Sequence, residues 1–68
     1  MRDWLKKLRI EKGMTQQEVA KQLDLSDAYY SYIESGERQK KMNIALASKL
    51  SVVFQIPIEQ IIENESAR

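Results

Sequence analysis

The chain has 68 residues, a formal net charge of +1, and neither cysteine nor histidine. A chain of this length forms one domain near the lower size limit for unaided folding, so its core has to come from packing alone. The missing cysteine and histidine exclude disulfides, the usual zinc sites, a cysteine nucleophile and the usual general base, so we expect no cofactor, no metal and no enzymatic activity.

The first helix is predicted from the N-terminal segment MRDWLKKLRIEKG, in which charged and apolar residues alternate. Leu5 and Leu8 have the spacing of one helix face that runs to about Lys12, and Gly13 then suits a left-handed C-cap.

The N-terminal segment lacks the uninterrupted apolar run of a signal peptide or a membrane span. We therefore expect a cytoplasmic protein without a membrane partner.

Two short helices follow, separated by a brief gap. Thr15 and Glu18 form a capping-box pattern, which starts the second helix directly after the threonine. Residues 23–25 interrupt the apolar pattern, and Ser26 then caps a third helix that ends at Gly36. The residues predicted to face inward from these two helices are Val19, Ala20, Leu23, Tyr30 and Ile33.

The rest of the chain is predicted to form a polar loop and two further helices. Residues 37–41 lack apolar periodicity and are expected to face solvent. Asn43 opens the fourth helix, and Pro57 suits the first turn of the fifth. The residues predicted to form one inward stripe of the fourth helix are Ile44, Ala47, Leu50 and Phe54, and the fifth helix carries Ile58, Ile61 and Ile62.

These elements predict an all-α fold with five helices and no strand. We expect one compact domain over residues 1–63. Residues 64–68 have nothing apolar to bury, so we expect a frayed C-terminal tail there.

The charges are distributed unevenly along the chain. Residues 36–49 include four basic residues and one acidic residue, whereas residues 57–68 include three acidic residues and one basic residue. A basic patch that faces a polyanion fits this distribution, and so do ordinary solvated surfaces. The charge pattern alone leaves both interpretations open.

The second and third helices have the outline of a unit that lays its second helix in the DNA major groove. They fit a twenty-residue helix-turn-helix pattern, with Gln16 first, Ala20 fifth, Asp24 ninth, Tyr30 fifteenth and Ile33 eighteenth. A small residue is needed at Ala20 because a larger side chain would separate the two helices at their closest crossing. The sequence therefore predicts a DNA-binding unit.

The segments LRIEKGMTQQEVAKQLDLS, YIESGER and QIPIEQI carry a closer likeness. From about Leu5 to Ile62 the chain resembles the lambda-repressor-like, Cro/CI-type (XRE) family of DNA-binding domains. The resemblance implies that helices two and three form the helix-turn-helix of a sequence-specific transcriptional regulator. It favours a repressor that binds a palindromic operator in double-stranded DNA as a homodimer, with an antirepressor or a toxin protein as a further partner. The alternatives are a protein-interaction module and the antitoxin of a toxin–antitoxin pair.

The resemblance assigns DNA contacts to two groups of residues. Base-edge contacts are implied for one face of the third helix, which comprises Asp27, Ala28, Ser31, Tyr32 and Ser35. Phosphate contacts are implied for the start of the second helix, for a tyrosine beside the base-reading face and for the loop after the third helix. These residues are Gln16, Gln17, Tyr29, Arg38, Lys40 and Lys41.

The spacing of the three tyrosines in the third helix predicts that they lie on different helix faces and have different roles. Tyr30 shares a face with Ile33, so we expect it in the core with its hydroxyl at the domain edge. Tyr29 and Tyr32 share the outward face, where a tyrosine can contact DNA but can also anchor a protein partner. Asp27 either accepts a hydrogen bond from cytosine N4 or serves only as a residue that starts the helix.

The resemblance also implies an ion pair between Arg9 and Glu34, and loss of one partner from such a pair costs about 3–5 kcal/mol when it is buried.

The sequence departs from the family pattern at three places. Asp24 stands where glycine is usual, although aspartate tolerates left-handed geometry. Tyr30 is bulkier than the usual valine or isoleucine. The loop 36–44 is about two residues longer than expected and lacks the common proline, which leaves its register on DNA open.

The C-terminal region carries more aliphatic residues than so small a core plainly absorbs. We expect a homodimer through the fifth helix, with an interface formed by Phe54, Ile56, Ile58, Ile61 and Ile62. The alternative is that these residues only close the core of their own domain. In a dimer, two recognition helices would meet half-sites one DNA turn apart.

Overall fold

Five helices follow one another along residues 1–67, the part of the chain that the computed structural model describes. They are α1 (Asp3–Glu11), α2 (Gln16–Gln22), α3 (Asp27–Ser35), α4 (Ile44–Phe54) and α5 (Ile58–Ser66). No strand occurs within these residues. The all-α prediction and the number of helices are confirmed.

Side-chain caps fix the starts of three helices. The Thr15 Oγ1 accepts a hydrogen bond from the Glu18 N–H at 3.1 Å, and the Thr15 N–H donates to the Glu18 Oε1 at 2.9 Å. This is the predicted capping box. Ser26 and Asn43 cap α3 and α4 by accepting a backbone N–H from the first turn of each helix. Local sequence therefore determines where these helices begin.

Left-handed backbone conformations bend the chain after α2, α3 and α4. Gly36 ends α3 with a φ of 89°, a conformation that costs glycine little. Asp24 adopts a φ of 60° in the turn between α2 and α3, which confirms that aspartate supports the turn where the family usually has glycine. Gln55 ends α4 with a φ of 56°.

A single hydrophobic core takes side chains from every helix. Its buried members are Leu5, Val19, Ala20, Leu23, Tyr30, Ile33, Leu46, Ala47, Leu50, Phe54 and Ile61. The closest packing is between α2 and α3 and between α4 and α5. Ala20 of α2 is fully buried, and its small side chain permits the close approach of α3.

Three expectations about the last two helices are wrong. Ile44 is 65% exposed, because it is the first residue of α4 and the buried stripe begins at Leu46. Phe54 and Ile61 are 1% and 0% exposed, so these two residues belong to the core of their own domain and not to a dimer interface.

The C-terminal tail also differs from the prediction. Helix α5 continues to Ser66, because the side chain of Glu65 binds Arg2 and Trp4 and so holds the last turn against α1. The expected fraying from residue 64 is therefore wrong for residues 64–66, and Arg68 lies outside the described residues.

Within the described residues, no single helix has both the length and the apolar character needed to cross a membrane. Helices α4 and α5 meet that test only when they are joined, and they are bent by 119° at their junction.

Candidate nucleic-acid interface

Helix α3 has one exposed face and one buried face. Asp27, Ala28 and Tyr32 are exposed on the outward face, and Tyr32 exposes 43% of its surface. Ser31 and Ser35 are half-buried. The inward face is fixed in the core by Tyr30, Ile33 and Glu34. The base-reading face implied by the sequence is therefore exposed to solvent at three of its five residues, and the opposite face of α3 is anchored in the core.

The start of α2 presents two amide side chains. Gln17 is exposed and Gln16 is half-buried, and both lie in the first turn of the helix. Backbone N–H groups in a first turn lack partners within the helix, so they can donate to a phosphate together with the side-chain amides. This geometry fits the phosphate-contact role implied for the two glutamines.

Backbone hydrogen bonds tie the start of the following loop to α3. The N–H groups of Glu37 and Arg38 both donate to the carbonyl oxygen of Tyr32, at 2.9 and 3.1 Å. The guanidinium carbon of Arg38 lies 5.9 Å from the centroid of the Tyr32 ring, within the range of a cation–π interaction. The loop therefore begins in a fixed position, and its first cation lies beside the exposed tyrosine.

The two lysines of the loop lie elsewhere. Lys40 and Lys41 are exposed and line a groove of about 940 Å³ that is bordered by α1, α4 and α5. The sequence grouped Arg38 with these lysines, whereas the structure groups Arg38 with Tyr32 and the lysines with the groove. Phosphate contacts by Lys40 and Lys41 stay a prediction.

Tyr29 is less available than its sequence position implied. It is half-buried, packs against the core, and its hydroxyl accepts a hydrogen bond of 3.4 Å from the Gln39 Nε2. Tyr29 therefore contacts the loop through Gln39. Tyr32 is the more exposed of the two outward-facing tyrosines.

Arg9 and Glu34, the pair implied by the resemblance, form a two-pronged ion pair. The Arg9 Nε lies 3.0 Å from the Glu34 Oε2, and the Arg9 Nη2 lies 3.1 Å from the Glu34 Oε1. Their side chains are 12% and 3% exposed. Hydrogen bonding to this carboxylate raises the pKa of the Arg9 guanidinium above its usual value. The pair joins α1 to the end of α3, which makes it a structural support of the recognition helix.

The position of the Tyr30 hydroxyl is different from the predicted one. Tyr30 is 0% exposed, so the hydroxyl does not reach the domain edge, and within the described residues it has no hydrogen-bond partner of ordinary geometry. Burial raises the pKa of this phenol above its usual value, and the nearby charge of Glu34 raises it further. Both effects favour the neutral phenol in the folded state.

Sequence reasoning missed Arg2, which is 0% exposed. Its guanidinium donates to the backbone carbonyls of Ile33, Arg38 and Gln39 and to the carboxylate of Glu65. These partners lie between 31 and 63 residues away along the chain. No local spacing pattern can reveal contacts over such distances.

A fold of five helices in which a tight turn joins α2 to α3, and α3 has one exposed and one buried face, is typical of helix-turn-helix DNA-binding domains. A family model described as helix-turn-helix matches residues 5–61, so the chain belongs to this family, in its XRE branch. Its functional class is DNA-binding regulation of transcription and not catalysis.

One curated relative is an uncharacterised HTH-type transcriptional regulator, YqaF, from Bacillus subtilis (strain 168). It is 43% identical to this chain over 63 residues, and the match covers 90% of this chain and 83% of the relative. No solved structure gives a significant match.

Proposed function

We propose that the protein is a cytoplasmic repressor that binds a palindromic operator as a homodimer, with α3 of each copy in the major groove. The observation that carries the proposal is the open outward face of α3, on which Asp27, Ala28 and Tyr32 project from a helix anchored in the core. A dimer bound across an operator represses transcription by blocking access of the polymerase.

The exposed face divides into base-reading and phosphate-binding parts. Tyr32 can touch a thymine methyl group with its ring and donate to a base acceptor through its hydroxyl. Asp27, in the first turn of α3, can accept from cytosine N4, and Ala28 leaves room for a close approach. Arg38 beside Tyr32 supplies a cation for the adjacent phosphate, and Gln17 supplies a second phosphate contact at the start of α2.

The size of the domain supports a dimer. The described residues extend over 25 × 24 × 20 Å. Half-sites read by helix-turn-helix proteins lie about 34 Å apart, which is one turn of DNA. One domain is too small to place a recognition helix in both half-sites, so reading a palindrome requires two copies.

The groove beside α5 is the surface that we propose for dimer formation. Met1, Ile44 and Ile62 line it and are 65%, 65% and 43% exposed. Lys41 and Asp3 also line it, so a copy related by two-fold symmetry could pair charges of opposite sign around an apolar centre. From the predicted interface, Ile62 lines the groove, whereas Ile56 and Ile58 are half-buried and are not part of its lining.

Selection of bound sequences from random duplex DNA tests this proposal. We expect a palindromic site whose half-sites are separated by about 10 base pairs centre to centre. Affinity for that site and for a scrambled duplex should then be measured at about 50 and 200 mM salt, because nonspecific binding depends on phosphate contacts alone. A selection without a palindrome, or equal affinity for both duplexes, would contradict the proposal and favour a protein-binding role.

A further inference from the structure

The Arg2 side chain joins three parts of the fold at one point. Its Nη1 donates to the carbonyl oxygen of Ile33 in α3 and to that of Arg38 at 3.1 Å, and its Nη2 donates to the carbonyl oxygen of Gln39. Its backbone N–H donates to the Glu34 carbonyl at 2.9 Å. Arg2 therefore satisfies carbonyl groups at the C-terminal end of α3 and fixes the loop that follows.

Glu65 in turn holds the Arg2 guanidinium in place. The Glu65 Oε1 accepts from the Arg2 Nε at 2.9 Å, and the Oε2 accepts from the Arg2 Nη2 at 2.8 Å. The Oε1 also accepts from the indole Nε1 of Trp4 at 3.2 Å. Arg2 is completely buried, so without this carboxylate it would be a buried cation with only carbonyl dipoles to balance it.

We propose that Arg2 and Glu65 are positioning residues for DNA binding, which hold the loop 37–41 against α3 so that the Arg38 side chain stays beside Tyr32. The inference rests on the proposed DNA-binding function. It connects the last turn of α5 to the DNA-contacting surface through one ion pair. Neither residue touches DNA itself, because Arg2 is buried and Glu65 lies beside α1.

The role requires an arginine. A guanidinium has five N–H donors in a planar fork, which can serve several carbonyls and a carboxylate at once. A lysine has a single ammonium group and cannot reach all of these acceptors in the same conformation. Arg2→Lys should therefore retain the charge but release part of the loop.

The test compares Glu65→Ala with Glu63→Ala in the full chain. Both variants remove one carboxylate from α5, but Glu63 is exposed and Glu65 contacts the guanidinium. Amide hydrogen exchange at Glu37 and Arg38 reports on the loop, because these N–H groups are bonded to Tyr32. We expect exchange at both amides to be about tenfold faster in Glu65→Ala and unchanged in Glu63→Ala.

A second measurement uses the selected duplex over a range of salt concentrations. Loss of an acidic residue alone should leave DNA binding unchanged or tighter, which is the result expected for Glu63→Ala. For Glu65→Ala we expect about tenfold weaker binding and a salt slope that is smaller by about two, the value for one lost phosphate contact in each copy of the dimer. Partial unfolding would weaken binding without changing the slope, so the slope separates positioning from stability. Glu65 also lines the proposed dimer groove, and the exchange measurement at Glu37 and Arg38 separates a released loop from lost dimer formation.

Glu65→Gln is the variant to use if Glu65→Ala does not fold, because glutamine keeps an acceptor for the guanidinium and should give a smaller change of the same kind. Equal loop exchange, or equal salt slopes, in the Glu65 and Glu63 variants would overturn the inference. A wild-type protein that binds no duplex would overturn the proposed function, and the exchange measurement would still show whether Glu65 holds the loop.

Discussion

Tyr30 is the residue at which the core and the supporting ion pair of α3 meet. Its phenol is completely buried, and the Glu34 carboxylate lies near enough to disfavour the phenolate. Burial is the larger cause of its raised pKa, and the charge of Glu34 adds to it. The folded state therefore binds the phenolic proton more tightly than the unfolded state does.

This difference predicts how stability depends on pH. Below the unfolded pKa of 10.0 both states keep the proton, so the contribution of Tyr30 is fully present and independent of pH. Above that pH the unfolded state releases the proton and the folded state retains it. The free energy of unfolding should therefore fall as the pH rises above about 10.

Tyr30→Phe is the control for this prediction. It removes a hydroxyl that has no hydrogen-bond partner of ordinary geometry among the described residues, so near neutral pH the free energy of unfolding should change by less than about 1 kcal/mol. Urea denaturation of both proteins between neutral pH and pH values above 10 measures the effect. Parallel stability curves for the two proteins in the alkaline range would contradict it.

Tyr32 and Arg38 are adjacent but should have different effects on DNA binding. Tyr32→Ala should change the preferred base at one position of each half-site, at a cost of about 1–3 kcal/mol per half-site of the original operator. Arg38→Ala should weaken binding to all sequences and lower the salt slope by about two, one unit for each copy of the dimer. Binding selections and salt titrations on both variants measure these effects. An identical outcome for the two variants would contradict the assigned roles.

At the residue scale, the sequence predicted contacts that follow local rules and missed contacts that do not. The capping box at Thr15 was predictable because its partner is three residues away. The burial of Tyr30 followed from helix periodicity, but the depth of its hydroxyl depends on how α1 packs against α3. Arg2 had no detectable signal, because its carboxylate partner lies 63 residues away.

At the scale of elements, the ends of helices determine where α3 and α4 point. Gln55 ends α4 in a left-handed conformation, φ 56°, although glutamine lacks the short polar side chain that lets asparagine and aspartate tolerate it. A left-handed residue with a Cβ is strained by about 1–2 kcal/mol, and glycine avoids this strain at an entropic cost of about 0.5–1 kcal/mol. Since the strain is larger than the entropic cost, glycine at this position should give the higher free energy of unfolding.

Gln55→Gly should therefore raise the free energy of unfolding by about 0.5–1 kcal/mol. Gln55→Ala is the matched control, because it removes the same exposed side chain but retains the Cβ and the strain. Urea denaturation of the three proteins measures the difference. If Gln55→Ala is as stable as Gln55→Gly, backbone strain at this position is not the cause.

The element boundaries were easier to predict than the faces of the elements. Caps at Ser26 and Asn43 are encoded within three residues, and the helices begin where those caps place them. The exposure of Ile44 and the ordered end of α5 depend on neighbouring helices. Helix α5 lacks a side-chain cap at its start. Glu65 holds its last turn through a contact with α1, and the sequence of α5 alone does not predict this contact.

At the scale of the whole molecule, the described residues present the two surfaces to which we propose a function. One is the outward face of α3 with Arg38, and the other is the groove bordered by α1, α4 and α5. The Arg2–Glu65 ion pair lies between them, because it bonds to the loop on one side and Glu65 lines the groove on the other. Dimer formation at the groove would therefore occur close to the ion pair that we propose to position the loop for DNA binding.

The proposed dimer makes a prediction about two exposed aliphatic residues. Ile62 lines the groove and is 43% exposed, whereas Val52 lies on α4 outside the groove lining and is 77% exposed. Ile62→Glu places a charge in the proposed apolar centre of the interface, so it should weaken self-association by at least about tenfold. Val52→Glu introduces the same charge and should leave self-association unchanged, although Val52 is the more exposed residue.

Sedimentation equilibrium of the wild type and both variants measures the association constants. Binding to the selected duplex provides a second readout, because a dimer occupies both half-sites together, whereas monomers of Ile62→Glu should fill them independently and more weakly. Equal self-association of the two variants would contradict an interface at the groove. A loss of association in Val52→Glu alone would place the interface on the outer face of α4 instead.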